Sequence, residues 1–461
     1  MNNTILAIDI GSTKISAIIA EIQDGKVKIQ GHGIAKSQGI KKGVTTNIEL
    51  ASKSIKKAIS DAKRISGSNI NTAVVSISNA YAKSLNSTGV VNIPHKDISI
   101  KEIDRVMQTA LYNANVPTEY DVVHVLPYNF RVDDQDFIED PFSMNASRLE
   151  VDVNIIMTQK SNLLNLKKAI RSAGVDIDGI VLSGYASSIT VMDEDEMELG
   201  VAVIDLGGQT SNLVIHTGNS IRYNDFLAVG SNHVTNDLSM ALHTPLNIAE
   251  SVKIKYANLV ERSNEVIELP IIGDEENNNK VSLEVVHSVI FSRVEEALML
   301  LEKSLSKSAL KEQIGAGVIL TGGMTKIKGI RELTQSIFPS LPVRIGKPAN
   351  IDGLFDELKD PSFSTVVGLL LYKAGGHTQY EINFQQELLH SKTPYSDNLG
   401  DIKLGNTIKE VKEHKGANQP ESYAKKEQTD PNAFSFDDLP DIGNENSNPI
   451  KKLSNWAKQL F

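Results

Sequence analysis

Asp9 and Asp205 each close an apolar run and are followed by a small-residue turn, in Ala7-Ile8-Asp9-Ile10-Gly11-Ser12-Thr13-Lys14 and in Val203-Ile204-Asp205-Leu206-Gly207-Gly208-Gln209-Thr210. A carboxylate held beside the backbone N–H groups of a glycine turn is what a phosphate with its metal ion requires. Two copies of the pattern in one chain predict a nucleotide gripped from both sides by two related halves.

The elements that must position these turns follow from apolar periodicity. Residues 4–10, 14–22 and 26–36 read as three successive strands. An amphipathic helix follows at 47–66, with Ile48, Ala51, Ile55, Ala58, Ile59 and Ala62 at a helical period. After a strand at 72–78 the order changes: a strand at 90–93, a helix at 99–115 and long alternating strands at 121–132 and 148–159 read as a module inserted at 85–162. A helix at 163–173, a strand at 180–182 and an acidic turn at 193–196 lead to the second half. Strands at 200–206, 211–217 and 220–229 there repeat the opening meander. Helices at 231–241, 246–258 and 283–304 follow, with a polar loop at 273–279, then a strand at 317–320 that ends in Thr321-Gly322-Gly323 and enters a helix. Such a strand-to-helix turn lets backbone approach a flat ring or ribose, and also serves ordinary packing. Glu250 and Lys253 lie three apart on one helix face, as a salt bridge or as ligand contacts.

Composition bounds the function. The chain has 461 residues, 40% of them hydrophobic, and so is expected to form two or more domains. It has no cysteine, which excludes disulfides and cysteine-held metal, and its ten histidines show no ligand spacing. A net charge of -10 and a pI near 5.6 argue against general nucleic-acid binding. The sequence opens directly on a strand pattern and holds no apolar run of ~20 residues, which predicts a chain that stays in the cytosol or lies on a membrane.

From 376 to 448 polar residues dominate without a sustained period, and the segment is read as a disordered tether with a reach of roughly 45 Å. Residues 449–461 form an amphipathic pattern: Ile450, Leu453, Trp456, Ala457 and Leu460 share one face, Phe461 ends the chain, and Lys451, Lys452 and Lys458 flank or oppose that face. Such an element suits a membrane interface or a groove on a protein.

The two phosphate turns, Ala249-Glu250-Ser251-Val252-Lys253 and Leu320-Thr321-Gly322-Gly323-Met324 together resemble the actin, Hsp70 and sugar-kinase superfamily. Gly184-Tyr185-Ala186-Ser187-Ser188, the run from Leu199 to Asp205 and the terminal Trp-containing helix resemble, more closely, the FtsA family of bacterial cell-division proteins. The resemblance covers residues 4–375 and the last dozen. It implies an α/β, actin-like, duplicated ribonuclease H-like fold with a nucleotide cleft between the halves. The first actin-like subdomain would be 1–84 with 163–195, the second 196–230 with 305–375, and 231–304 a helical subdomain for adenosine and partner binding.

The resemblance also implies roles. Asp9 and Asp205 would hold Mg²⁺ through waters. Gly11, Ser12, Thr13 and Lys14 would face the phosphates of ATP from one side, and Gly207, Gly208, Gln209 and Thr210 from the other. Gly230, Glu250, Lys253, Gly322, Gly323 and Met324 would complete the nucleotide site. Only Ser183 stands where briskly hydrolysing relatives carry an acid or amide, Gln209 replaces a common glycine, and Asn212 stands where many relatives have an acid. These departures imply slow or negligible hydrolysis and no catalytic residue. The implied partners are the C-terminal tail of FtsZ at a surface including Arg293, further copies of the chain, later division proteins through 85–162, and an anionic membrane through 449–461. The implied location is the cytoplasmic face of the inner membrane at the division site. Pilus-assembly and other superfamily ATPases are the alternative reading.

Overall fold

The computed structural model of the chain describes residues 3–390 apart from 24, 25, 79 and 219. The expected tether beyond 390 and the terminal element with Ile450, Leu453, Trp456, Leu460 and Phe461 lie outside the described residues.

The duplication read from the two turns is a duplication of whole sheets. In the first half, Asn3–Ile10, Lys14–Gln23 and Lys26–Lys36 form an antiparallel meander, and Thr72–Ile77 and then Asp176–Leu182 add in parallel beside the first strand. In the second, Val201–Leu206, Ser211–Thr217 and Ser220–Leu227 form the same meander, extended in parallel by Gly317–Thr321 and Val343–Ile345. All six residues of Val201–Leu206 are buried, as expected of a central strand covered on both faces. The shared topology brings Asp9 and Asp205 to the same end of equivalent strands.

Local sequence sets the helices. Ile48–Ser66 starts where the Asn47 side chain accepts the Leu50 N–H at 3.0 Å and stops at Gly67, whose φ of 68° continues no helix. It lies directly on Lys26–Lys36, because a Cβ on Gly33 would stand 2.1 Å from the Ala58 carbonyl oxygen. Ile100–Asn113 is capped by Ser99 and Glu102 and covers the inserted sheet of Ala82–Asn92, Arg148–Gln159, Tyr120–Val132 and Gln135–Ile138. The inserted module has a core of its own, built around Ile103, Met107, Val125, Leu149 and Ile155.

Four expectations need correction. The polar stretch 273–279, read as a loop, includes the start of Asp274–Ser282, which pairs with Val266–Ile271 across a turn at Gly273; its exposed Asn277 and Asn278 left no apolar alternation to read. The acidic turn at 193–196 opens a short helix, Glu194–Leu199, because Glu196 accepts the Asp193 N–H at 2.9 Å. The Gly322-Gly323 turn enters a 3₁₀ turn, Gly323–Lys326, before the helix Ile330–Ile337. Finally, Ser364–Leu371, assigned to the second half, packs with the core of the first through Val366, Val367, Leu369 and Leu370.

The tether boundary at 376 is also too early. Residues 377–390 form a strap in which Tyr380, Glu381 and Ile382 are fully buried and Ile382 bonds Val125 of the inserted module at 2.9 and 3.1 Å. Glu381 accepts from Tyr185 at 2.9 Å and from Tyr372 at 2.7 Å, and stands 2.6 Å from His124 Nδ1. The Leu182 N–H donates to His124 Nε2 at 3.0 Å, which leaves the ring proton on Nδ1, facing Glu381. Two apolar residues separated by a glutamate are too short a pattern to stand out in a polar composition.

Candidate functional site

A cavity of about 470 Å³ opens between the halves and is lined by both Asp-Gly turns, a size in the range of small-molecule sites. The turns are close copies. A Cβ on Gly11 would stand 2.8 Å from the Lys14 carbonyl oxygen, and one on Gly207 would stand 2.7 Å from that of Thr210. Each turn therefore doubles back too tightly for a side chain at its first glycine.

Asp9 and Asp205 both line this cavity, and their environments differ. Asp9 accepts from Ser76 at 2.8 Å, while Ser76 Oγ accepts the Ile10 N–H at 2.8 Å. Burial raises the Asp9 carboxyl above its usual range, against the opposing pull of Ser76 and Lys14. Asp205 is pushed up to about 6, chiefly by burial and then by Asp9, with Ser187 and Thr365 donating hydrogen bonds to it. Two buried carboxyls, both raised by burial and one of them raised further by the other, make a site suited to positive charge.

Lys14 supplies part of that charge. Its Nζ donates to Ser362 Oγ at 2.7 Å and lies 3.0 Å from the centroid of the Phe363 ring, and burial lowers its pKa to about 8. Among the described residues no cluster of three or more His, Asp or Glu side chains could hold a metal by itself. The Asp9 and Asp205 pair thus suits an ion whose remaining ligands are phosphate oxygens and water. Asn212 Oδ1, buried at the same cavity, has no hydrogen-bond partner among the described residues.

At the other end, Leu246–Tyr256 presents Glu250 and Lys253, and the turn after Gly317–Thr321 presents Gly322, Gly323 and Met324. Lys253 Nζ is 2.8 Å from Glu250 Oε2 and donates to Thr235 Oγ1 at 2.9 Å and to the Ser231 carbonyl at 3.2 Å. The salt bridge and the cavity position therefore coexist. A Cβ on Gly322, whose φ is 89°, would stand 2.3 Å from Asp205 Oδ1, so this glycine keeps the strand end against the carboxylate.

The structure gathers Gly11, Ser12, Thr13, Lys14, Gly207, Gly208, Gln209, Thr210, Glu250, Lys253, Gly322, Gly323 and Met324 at this one cavity together with Asp9 and Asp205. Gly230 is not among the lining residues. It sits behind the second turn, where a Cβ would stand 2.5 Å from the Gly207 carbonyl oxygen, and the Ser231 and Asn232 N–H groups donate to the Gly207 and Gly208 carbonyls at 3.0 and 2.7 Å. Arg293 is in an ion pair elsewhere: it reaches Asp237 at 2.5 and 3.2 Å and also contacts Glu296. Sequence reasoning missed Gly43, Ile254, Lys326, Ser362 and Thr365 at the cavity. Only Lys326, three residues past Gly323, carried a local signal.

Family profiles match two parts of the chain: one described as cell division protein FtsA over residues 202–368, and one described as the SHS2 domain inserted in FtsA over residues 79–157. The chain is 41% identical to cell division protein FtsA of Helicobacter pylori over 410 residues, covering 82% of this chain and 83% of that protein. It is 36% identical to the Pseudomonas aeruginosa protein of that name, with 80% and 88% covered, and 30% identical to the Escherichia coli K12 protein, with 84% and 94% covered. Among solved structures, the PilM-PilN type IV pilus biogenesis complex is similar at a TM-score of 0.59 and 15% identity, covering 80% of this chain and 98% of that chain. MreB5 of Spiroplasma citri bound to ADP is similar at 0.50 and 14% identity, with 80% and 96% covered. At these identities the structures establish the actin-like fold, and the sequence relatives establish the family.

Proposed function

The chain belongs to the FtsA family of cell-division proteins, and from that premise we propose that it is an ATP-binding, self-assembling adaptor that tethers the FtsZ ring to the cytoplasmic face of the inner membrane and recruits later division proteins. The observation that carries the nucleotide part is the pair of facing Asp-Gly turns around a cavity of about 470 Å³. In this reading, backbone N–H groups of Gly11–Thr13 and Gly208–Thr210 cradle the phosphates from opposite halves, with Lys14 adding charge, while the Gly207 N–H closes its own turn on the Thr210 carbonyl at 2.9 Å. Glu250, Lys253 and the Gly322–Met324 turn receive the adenosine. Asp9 and Asp205 hold Mg²⁺, which when bound neutralises phosphate charge and relieves the repulsion between the two buried carboxylates.

Hydrolysis is slow in this reading. Ser183 donates to the Ile77 carbonyl at 3.0 Å, and Asn212 supplies an amide where a base is needed. Steady-state turnover is expected below ~1 per second, under the range of efficient phosphoryl-transfer enzymes.

The FtsZ tail would dock on the helices Ser231–Leu242 and Leu283–Lys307 near Arg293, the inserted module would meet later division proteins and neighbouring copies, and residues 449–461 would bind anionic lipid. A short basic amphipathic segment binds lipid weakly, so durable attachment needs several copies presented together by a polymer. The test is co-sedimentation with anionic liposomes of the full chain and of a chain ending at Pro449, each with and without Mg-ATP. Pelleting that needs residues 450–461 and increases with Mg-ATP supports the adaptor. Equal supernatant fractions for all four samples overturn it. The pilus-assembly alternative has a 15% identical fold neighbour on its side, against the 30–41% identical relatives that support the division reading.

A further inference from the structure

The cavity is asymmetric in a way that the two turns do not explain. At its adenosine end, Glu250, Lys253, Ile254, Gly322 and Gly323 all come from the second half. At its phosphate end both halves meet, and they are fastened by a hairpin of the first. Ile40–Lys41 pairs with Val44–Thr45 across a tip made of Lys42 and Gly43, both at positive φ, 47° and 79°. The Gly43 N–H donates to Ser12 Oγ at 3.0 Å, in the first turn. The Lys42 N–H donates to Gln209 Oε1 at 2.7 Å, in the second. A Cβ on Gly43 would stand 2.1 Å from Ser78 Oγ, so the tip is seated on the floor of the first half while it reaches the other. Below it, Thr13 and Gly208 touch across the gap, a Cβ on Gly208 having only 1.8 Å to Thr13 Oγ1.

We infer that Gln209, with Ser12 and the tip of the 39–45 hairpin, is a clasp that fastens the phosphate end of the cleft, and that Gln209 is a positioning residue controlling how fast a bound nucleoside polyphosphate leaves. This rests on the nucleotide reading above. A backbone N–H can only donate, so the Gln209 amide must turn its oxygen to the hairpin, which commits its NH₂ group to the opposite side as a donor for an anionic ligand. One side chain thereby joins hairpin and ligand. A phosphate that engages the NH₂ group holds the amide in the orientation that also holds Lys42. The glycine expected at this position from the family resemblance offers neither bond. With the adenosine gripped by one half alone, release of the phosphate end requires the two halves to part, and the clasp opposes that step.

The test is stopped-flow dissociation of fluorescent N-methylanthraniloyl ADP and ATP, with Mg²⁺, from the full chain and from its Gln209→Ala, Ser12→Ala and Gln209→Glu variants, with hydrogen exchange at the Lys42 amide read in the absence of nucleotide. Gln209→Ala is expected to speed dissociation about fivefold to tenfold, the effect of one lost hydrogen bond, and to deprotect the Lys42 amide. Ser12→Ala should deprotect the Gly43 amide and speed release by a similar factor. Gln209→Glu keeps an acceptor for Lys42 and removes the donor, so it should retain amide protection while still releasing ligand faster. Wild-type protein that binds neither analogue overturns the nucleotide reading and the clasp together. Wild-type binding with unchanged dissociation in both alanine variants overturns the clasp alone, as does undiminished Lys42 protection in Gln209→Ala.

Discussion

In the first half, Asp9 leans on one hydroxyl, Ser76, and its turn ends in a lysine; in the second, Asp205 is wedged among Ser187, Thr365 and Gly322, and its turn carries an amide. The backbones are near copies, with a glycine folded to within 2.8 Å of a carbonyl in one and 2.7 Å in the other. Duplication supplied the geometry, and divergence distributed the chemistry. The first turn brings a cation of lowered pKa, the second a carboxyl that its counterpart pushes up further and the residue that ties the halves together. What lies behind each turn differs as well: the first half carries the inserted module and the strap, and the second carries the helix that brings Glu250 and Lys253 to the cavity.

The largest effect should come from separating those supports. Glu381→Ala leaves Tyr185, Tyr372 and His124 without their shared acceptor in a buried site, at a cost of about 3 kcal/mol or more. Hydrogen exchange should show faster opening across the inserted strands Tyr120–Val132 and Arg148–Gln159, while Leu246–Tyr256 keeps its protection. Equal loosening of both regions would mean that the halves are not independently supported.

Asp205→Asn removes the carboxyl that burial and Asp9 push up. Because the native carboxyl holds its proton up to about pH 6 against an ordinary value of 3.8, its contribution to stability falls as pH rises through that window and stays low above it. The difference amounts to about 3 kcal/mol. The variant should therefore melt higher than the parent at pH 8 and match it near pH 4, while Mg²⁺-dependent nucleotide binding weakens at least about a hundredfold. A variant no more stable at pH 8 would show that Asp205 is not strained by its neighbours.

Lys14 gives a smaller, pH-dependent effect. With its pKa lowered to about 8, nucleotide affinity should fall several-fold between pH 7.5 and pH 9, and Lys14→Arg, which stays charged, should flatten the profile. Calorimetric titration with Mg-ADP at the two pH values decides it. The smallest effect is expected outside the cavity lining: Arg293→Ala removes a partly exposed pair with Asp237 and should cost about 1 kcal/mol in denaturant melts while leaving nucleotide affinity unchanged.

Much of this site could be read from the chain because its parts are local. Asp9 through Lys14 and Asp205 through Thr210 are contiguous, and a strand ending in a glycine turn places its carboxylate whatever surrounds it. Glu250 and Lys253 were legible for the same reason, one helix turn apart. Ser362 and Thr365 were not, because they reach the site from the 3₁₀ turn Pro361–Phe363 and the helix Ser364–Leu371, both remote in sequence from either glycine turn. Arg293 was legible as a basic residue on a helix, and its Asp237 partner was not, since the pair spans two helices.

The chain by itself determined the repeated meanders, the two turns, the inserted module and the helices with their caps, since each depends on periodicity and on neighbours a few residues away. Tertiary structure alone decided that Gly230 braces a turn instead of lining the cleft, that the strap at 377–390 is bound around a buried glutamate, and that a hairpin tip links Ser12 to Gln209. Those outcomes depend on which surfaces meet in space, and contacts across sequence separations such as the 31 residues between Gly43 and Ser12 and the 196 between Tyr185 and Glu381 leave no regular spacing from which to read them.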